Sequence, residues 1–170
     1  AGGGIEENSM AGQVLTMTNV TLNNNSTGSS PGNGGGLHIT GAGDSNISGG
    51  VVMSNTASAE GGGLWNGTGT MNIGNTQITL NTASGAESDQ GGGGVFNAGG
   101  TVVITGATIT QNSCDGAAGS GGGILNDLGT LTVTDTEISG NTSVRAGGGI
   151  EENSMAGQVL TMTNVTLNNN

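Results

Sequence analysis

The sequence predicts an all-β chain wound as a parallel β-solenoid of about six coils, each made of three short strands. Three observations predict it. A glycine run followed by an aliphatic residue recurs six times, with anchors at Ile5, Leu37, Leu64, Val95, Ile124 and Ile150. An aliphatic-x-x-Asn motif keeps step with it, at Leu22/Asn25, Val52/Asn55, Ile78/Asn81, Ile109/Asn112, Ile138/Asn141 and Leu167/Asn170. Between the two lies an apolar-x-apolar pair, the alternation of a strand with one buried face. Five spacings cover the 145 residues from Ile5 to Ile150, a mean of 29, which is one solenoid coil.

Taken in order along one coil, the anchor comes first, on a short strand. The residue two places on is Asn66, Asn97 or Asn126 in three coils, and stacked Asn side chains at a corner can hydrogen-bond from coil to coil as a ladder. The second strand carries Leu15/Met17, Met71/Ile73, Val102/Ile104, Leu131/Val133 and Leu160/Met162. The second coil keeps half of this pair, with Ser45 before Ile47. Two residues later the column reads Asn19, Gly49, Asn75, Gly106, Asp135 and Asn164. Only residues that enter the left-handed region cheaply occur there, as a sharp corner requires. The third strand carries the aliphatic residue of the Asn motif. Residues 26–33, 56–60, 82–91, 113–120 and 142–146 then vary in length, which marks surface loops. The predicted core is the two aliphatic stacks: Ile5, Leu37, Leu64, Val95, Ile124 and Ile150, with Leu22, Val52, Ile78, Ile109, Ile138 and Leu167. Six coils stacked at about 4.8 Å make a rod about 29 Å long.

The paired GGG-[IL] and [IVL]-x-x-Asn motifs resemble the repeats of right-handed parallel β-helix proteins of the pectin-lyase-like type. They are similar above all to the GGAI/FxxN repeats of chlamydial polymorphic outer-membrane proteins and related bacterial surface and fibre proteins. The resemblance covers essentially the whole chain. It implies right-handed coiling, in keeping with the general crossover rule, and an extracellular or cell-surface location. It says little about activity, because that fold hosts lyases, hydrolases, adhesins and fibres.

The chain has 38 Gly, one Trp, one Phe, no Tyr and 31% hydrophobic residues. A compact globule could not close a core on that composition, and a disordered Gly/Ser/Asn/Thr tract resembles it. Apolar residues in register across six units point instead to a solenoid, whose narrow core needs few inward residues per coil. The net charge is −11, and the only cation among Lys and Arg is Arg145. Nucleic acid is therefore excluded as a partner, since phosphate binding needs clustered cations. No apolar run is long enough to span a membrane. The single cysteine, Cys114, falls in a variable loop, either as a small loop residue or as a thiol that cross-links molecules.

Residues 1–25 and 146–170 are identical, although the other coils have diverged. Residues 1–170 thus read as one solenoid segment. Within it, residues 1–145 form one five-coil period and residues 146–170 the first coil of the next. No polar cap is visible at either end, so the segment reads as one cut from a tandem array or as a subunit stacked head to tail. Heterologous stacking without closure gives a filament.

Catalysis finds little support. Lyases of the resembled fold use a basic side chain beside calcium-bound carboxylates, but Arg145 has no acidic pair in its own loop. Glycosidases need two carboxylates at a set separation. Asp127 is expected near Glu151 and Glu152 on the next coil; they read as a solvated corner, with a bound cation such as Ca²⁺ as the alternative. No cofactor is expected, and His38 has no nucleophile beside it. The Thr16/Thr18, Thr132/Thr134 and Thr161/Thr163 pairs would suit an ice-ordering array. It is broken at Asn46/Ser48, Asn72/Gly74 and Val103/Thr105, and β-propensity accounts for the threonines. Sequons such as Asn19-Val20-Thr21 and Asn66-Gly67-Thr68 arise by chance in such a composition.

The residue after each anchor should face outward. That column holds His38, Trp65, Phe96 and Leu125, an apolar strip that calls for a cover. A neighbouring rod, a returning loop (82–91 or 113–120) or a stacked sugar would each serve. The expectation is a non-catalytic structural segment of an extracellular filament or stalk, with itself as partner and a glycan as a possible further one. An adhesin or carbohydrate-binding domain is the second reading and a polysaccharide-active enzyme the third.

Overall fold

The computed structural model describes residues 2–170. These residues contain no helix, and every strand pairing is parallel. The chain winds as a β-solenoid of about six coils. Three six-stranded sheets run the length of the stack. We call them A, which contains the anchors, B, which contains the apolar-x-apolar pairs, and C, which contains the Asn-motif aliphatics. No helix is long and apolar enough to cross a membrane.

Register follows the sequence columns. In sheet A, Ile5 pairs with Leu37, Leu37 with Leu64, Leu64 with Val95, Val95 with Ile124, and Ile124 with Ile150. Sheets B and C stack Met17–Ile47–Ile73–Ile104–Val133–Met162 and Leu22–Val52–Ile78–Ile109–Ile138–Leu167 in the same way. Period-two alternation sends these residues inward, and one core cluster runs through the middle of the rod. All six members of the predicted corner column, Asn19, Gly49, Asn75, Gly106, Asp135 and Asn164, have φ between 49° and 66°.

Three features differ from the sequence expectation. First, a fourth sheet, D, stands where only loops were expected. Its strands are Thr56–Ala57, Thr82–Ala83, Ser113–Cys114 and Thr142–Ser143. Four of the five variable loops therefore start on a paired strand, and the loop at 26–33 starts on an isolated bridge between Ser26 and Thr56. What holds it is the Asn motif, whose side chains turn inward between sheets C and D. They form a six-rung ladder, Asn25–Asn55–Asn81–Asn112–Asn141–Asn170, each Nδ2 donating to the next Oδ1 at 2.8–2.9 Å.

Second, that inward turn needs another left-handed residue one place earlier, and here the sequence does not cooperate. The column is Asn24, Ser54, Leu80, Gln111, Gly140 and Asn169, all at positive φ. For Leu80 and Gln111 this conformation is strained.

Third, Leu167, predicted as core, is 48% exposed, whereas its sequence twin Leu22 is 6% exposed. Met162 and Met17 differ likewise, at 47% and 5%. Inward side chains are covered chiefly by the coil that follows, and no described coil follows Leu167.

Candidate functional site

Sheet A, with the loops leading into it, gathers most of the charge and all the aromatic rings of the protein. The column after the anchors is Glu6, His38, Trp65, Phe96, Leu125 and Glu151, in register from strand to strand. Trp65 meets the His38 ring edge-on at a centroid distance of 4.3 Å and stacks parallel to Phe96 at 6.2 Å.

This column is not the exposed lateral strip that alternation predicts. His38, Phe96 and Leu125 are buried, at 4%, 2% and 1% exposure, and Trp65 is half-buried. The loops cover it. Five of the six glycine runs hold a left-handed glycine four residues before the column residue, at Gly34, Gly61, Gly92, Gly121 and Gly147, and a Cβ there would strike the column. One at Gly34 would lie 2.6 Å from His38 Cβ, and one at Gly61 would lie 2.9 Å from Trp65 Cβ. The returning chain thus lies directly on the outer side of sheet A. Phe96, Leu125, Ala57, Ala83 and Cys114 are buried yet absent from the central cluster. Of the three covers, the structure has the returning loop. Alternation along one strand says which face a residue takes, not whether a later segment roofs that face.

Arg145 fastens the roof. Its Nε donates to Ser120 Oγ at 2.9 Å, and Nη2 donates to Ser88 O and to Glu151 Oε1, both at 3.1 Å. The one arginine therefore does have an acidic partner, from the strand that follows its loop. Cys114 is 1% exposed and burial pushes its thiol pKa up, so it is not placed to cross-link molecules.

The cation alternative at the acidic corner is not assembled. Asp127 accepts from Asn153 Nδ2 at 2.6 Å, Glu151 is bound to Arg145, and Glu152 accepts from Asn126 Nδ2. The three sit at successive register positions, so alternation turns Glu152 to the face opposite Asp127 and Glu151. No group of three or more His, Cys, Asp or Glu that could hold a metal exists among the described residues.

The corner ladder does form. Asn66 Nδ2 donates to Asn97 Oδ1 at 2.9 Å and Asn97 Nδ2 to Asn126 Oδ1 at 2.6 Å, with Glu152 as the next rung. It stops at Ile39, which cannot donate, and Asn66 Oδ1 is left buried without a partner. Asn66 is fully buried, which removes its sequon from consideration as a sugar acceptor.

Two carboxylates, Glu60 and Glu6, have shaped environments. Burial raises the Glu60 pKa, with Asp89 and Asp127 adding to the effect against a hydrogen bond from Trp65 Nε1 at 2.9 Å. Its Oε2 also accepts from Asn33 Nδ2, so Glu60 ties two loops to the aromatic stack. Glu6 is the opposite case. Burial pushes it up, but donors from Thr40, His38 and the Gly2 backbone outweigh this and hold its pKa at about 2. Burial lowers the His38 pKa despite the Glu6 contact of 2.7 Å. A neutral ring donating from Nδ1 fits this geometry. Nε2 is buried with no partner, so a proton there would have nothing to bond. Loop closure, invisible in strand periodicity, brings Glu60 to Trp65; the single Trp five residues after a Glu was the only signal.

No family model, curated protein or solved structure matches this chain. The β-solenoid rests on the structure, and the likeness to bacterial surface repeats rests on the motifs.

Proposed function

We propose that this chain is a non-catalytic structural segment of an extracellular filament or stalk, built by axial continuation of β-helix coils. One observation carries the reading. Coils 1–25 and 146–170 are identical in sequence, and the strands at 5–9, 14–18 and 21–23 are already paired in full with the second coil. Whatever the first coil offers to residues 26–55, coil 146–170 offers again. That offer includes the Asn ladder, the aliphatic stacks and Glu151 in the place of Glu6. The motif resemblance to surface and fibre repeats and the high acidity suit an exposed, soluble rod. The adhesin reading rested on an exposed aromatic column, and the roof over Trp65 and Phe96 withdraws that support.

Cryo-electron microscopy of concentrated protein tests the proposal. A continuous array of five-coil periods advances about 24 Å per repeat, whereas six-coil copies stacked end to end advance about 29 Å. Either repeat supports axial assembly, and the value says which kind. Discrete rods at every concentration, with no axial repeat, count against it.

A further inference from the structure

The two ends of the rod carry the same coil. The edge strands of sheets A, B and C are 5–9, 14–18 and 21–23 at one end and 150–153, 160–163 and 166–168 at the other. When one copy is set on the next in the internal register, identical residues meet. Ile150 lies against Ile5, Met162 against Met17, Leu167 against Leu22 and Asn170 against Asn25.

Three features of these ends fit each other. The inner Asn ladder has a direction. Asn25 donates to Asn55 Oδ1 from N and Nδ2, at 3.0 and 2.8 Å, and among the described residues its own Oδ1 accepts nothing. At the other end Asn170 Oδ1 accepts from Asn141, and Asn170 Nδ2 gives one hydrogen to Ile138 O and keeps a second. A spare donor therefore meets a spare acceptor. The glycine runs match as well, 147–149 against 2–4. Internal steps have the same glycine-on-glycine contact, where a Cβ at Gly63 would lie 2.6 Å from Gly94 O.

The third feature is a long corner between sheets A and B. Residues 10–13 separate Ser9 from Val14, whereas only Ala42 and Gly43 separate their register partners Gly41 and Asp44. Met10 at its tip is 73% exposed and its twin Met155 is 64% exposed, with Val14 and Val159 exposed beside them. Gln13 Oε1 accepts from Met10 N at 2.8 Å, and Gln158 Oε1 from Met155 N at 2.7 Å, so both corners hold the same shape. In a continuous array this corner recurs once in five coils, and its Met faces no counterpart. Between separate copies Met155 lies against Met10 and Val159 against Val14, so each apolar patch is covered by its own image.

One contact opposes this joint. Glu7 and Glu152 point to the inward face, in the corner column that also holds Ile39 and Asn126. Stacking places the two carboxylates one strand spacing apart, about 4.8 Å. Beyond them lie Asn126 on one side and Ile39 on the other, and neither is charged. Asp127, Glu151, Glu6 and His38 are on the opposite face. There Glu151 meets Glu6, but Arg145 already holds Glu151 at 3.1 Å and His38 is 2.7 Å from Glu6. The inward pair has no such partner, and two carboxylates in one closed corner cannot both stay ionised.

We propose that separate copies of this chain stack end to end, coil 146–170 of one on coil 1–25 of the next, only when acid places a proton between Glu152 and Glu7. At neutral pH the pair holds the ends apart. The proposal rests on the axial assembly put forward above and adds the condition under which separate copies achieve it.

Sedimentation and small-angle X-ray scattering of the whole chain in EDTA, at pH 7.5 and at pH 4.5, test this. At pH 4.5 ordinary glutamates are about half protonated. Stacking there is expected to be about 10- to 100-fold stronger than at pH 7.5, the range for one like-charge contact at this spacing in a partly screened site. Particles grow in length and keep their cross-section. The double variant Glu7→Gln with Glu152→Gln stacks at both pH values. Glu87→Gln with Glu137→Gln removes the same charge at exposed sites away from the ends and leaves the pH dependence in place. Met155→Ser, at an exposed corner, keeps the unfolding midpoint and weakens stacking about fivefold. Equal stacking of the native chain at both pH values overturns the acid condition and leaves axial assembly standing. Absence of stacking at both, in the native chain and in Glu7→Gln with Glu152→Gln, removes end-to-end assembly of separate copies altogether. The proposal is also overturned if the Glu87 and Glu137 variant abolishes the pH dependence, if particles thicken rather than lengthen, or if Met155→Ser stacks as the native chain does.

Discussion

Replacing Asn112 by alanine probes the inner ladder where it is best buried. Asn112 is fully buried. Its Nδ2 donates to Asn141 Oδ1 and Ile78 O, both at 2.9 Å, and its Oδ1 accepts from Asn81 N at 3.0 Å and Asn81 Nδ2 at 2.9 Å. Asn112→Ala removes all four bonds, at unequal cost. Asn141 Oδ1 keeps the Asn112 backbone N–H, and Asn81 Nδ2 keeps Val52 O. The Asn81 N–H, the second Asn81 Nδ2 hydrogen and the Ile78 carbonyl each lose a partner away from water. At about 1–3 kcal/mol per buried unsatisfied group, with partial relaxation, the loss is about 4 kcal/mol. Asn170 makes the equivalent bonds to Asn141 and Ile138 but is exposed, so water substitutes and Asn170→Ala costs about 1 kcal/mol. The measurement is guanidinium unfolding followed by far-ultraviolet circular dichroism and Trp65 fluorescence together, which separates fraying of end coils from global unfolding. The thermal midpoint of Asn112→Ala should fall by about 8–16 °C. If the two variants lie within about 1 kcal/mol of each other, the ladder is not a stabilising spine and the reasoning fails.

Other consequences follow from the same geometry. Met17→Ala should cost about 2–4 kcal/mol and Met162→Ala under about 1 kcal/mol, though both sit in the same 25-residue sequence; equal losses by denaturant titration would contradict the one-sided cover. Leu80→Asn should stabilise the chain by about 1 kcal/mol, since Leu80 is left-handed and 49% exposed where two other coils already have Asn; a loss in the unfolding midpoint would show that Leu80 has a role in packing. Acid should act in stages. His38, lowered by burial, contributes stability above pH 6.5 that is lost as pH falls through 6.5 towards its folded value, and Glu6 contributes stability above 4.5 that is lost towards about 2. Glu60, raised by burial, works the other way and gains stability as pH falls towards 4.5, so Glu60→Gln should steepen the loss between 6.5 and 4.5 in stability measured against pH. A pH profile unchanged by Glu60→Gln would remove that assignment.

The parts of this protein that were legible in its residues are those set by local chemistry repeated six times. Inward aliphatics at period two dictate which face is buried, and their recurrence near every 29 residues dictates which residues stack, so the three long sheets and their register could be read directly. The corner at Asn19, Gly49, Asn75, Gly106, Asp135 and Asn164 was equally legible, because only residues tolerant of positive φ stand there. What escaped has a common cause: it depends on segments far apart in the chain. Ser54, Leu80 and Gln111 are left-handed because the Asn beside each is drawn into a ladder with the coils above and below, and no local preference announces that. The strip at His38, Trp65, Phe96 and Leu125 faces outward on its own strand, as alternation demands, yet is buried because the loops return over it. Arg145 meets Glu151 and Ser88 only once three loops have closed together. Strand periodicity records the face a side chain takes; which distant backbone or loop then occupies that face is a property of the packed coils, and it arises only when they close.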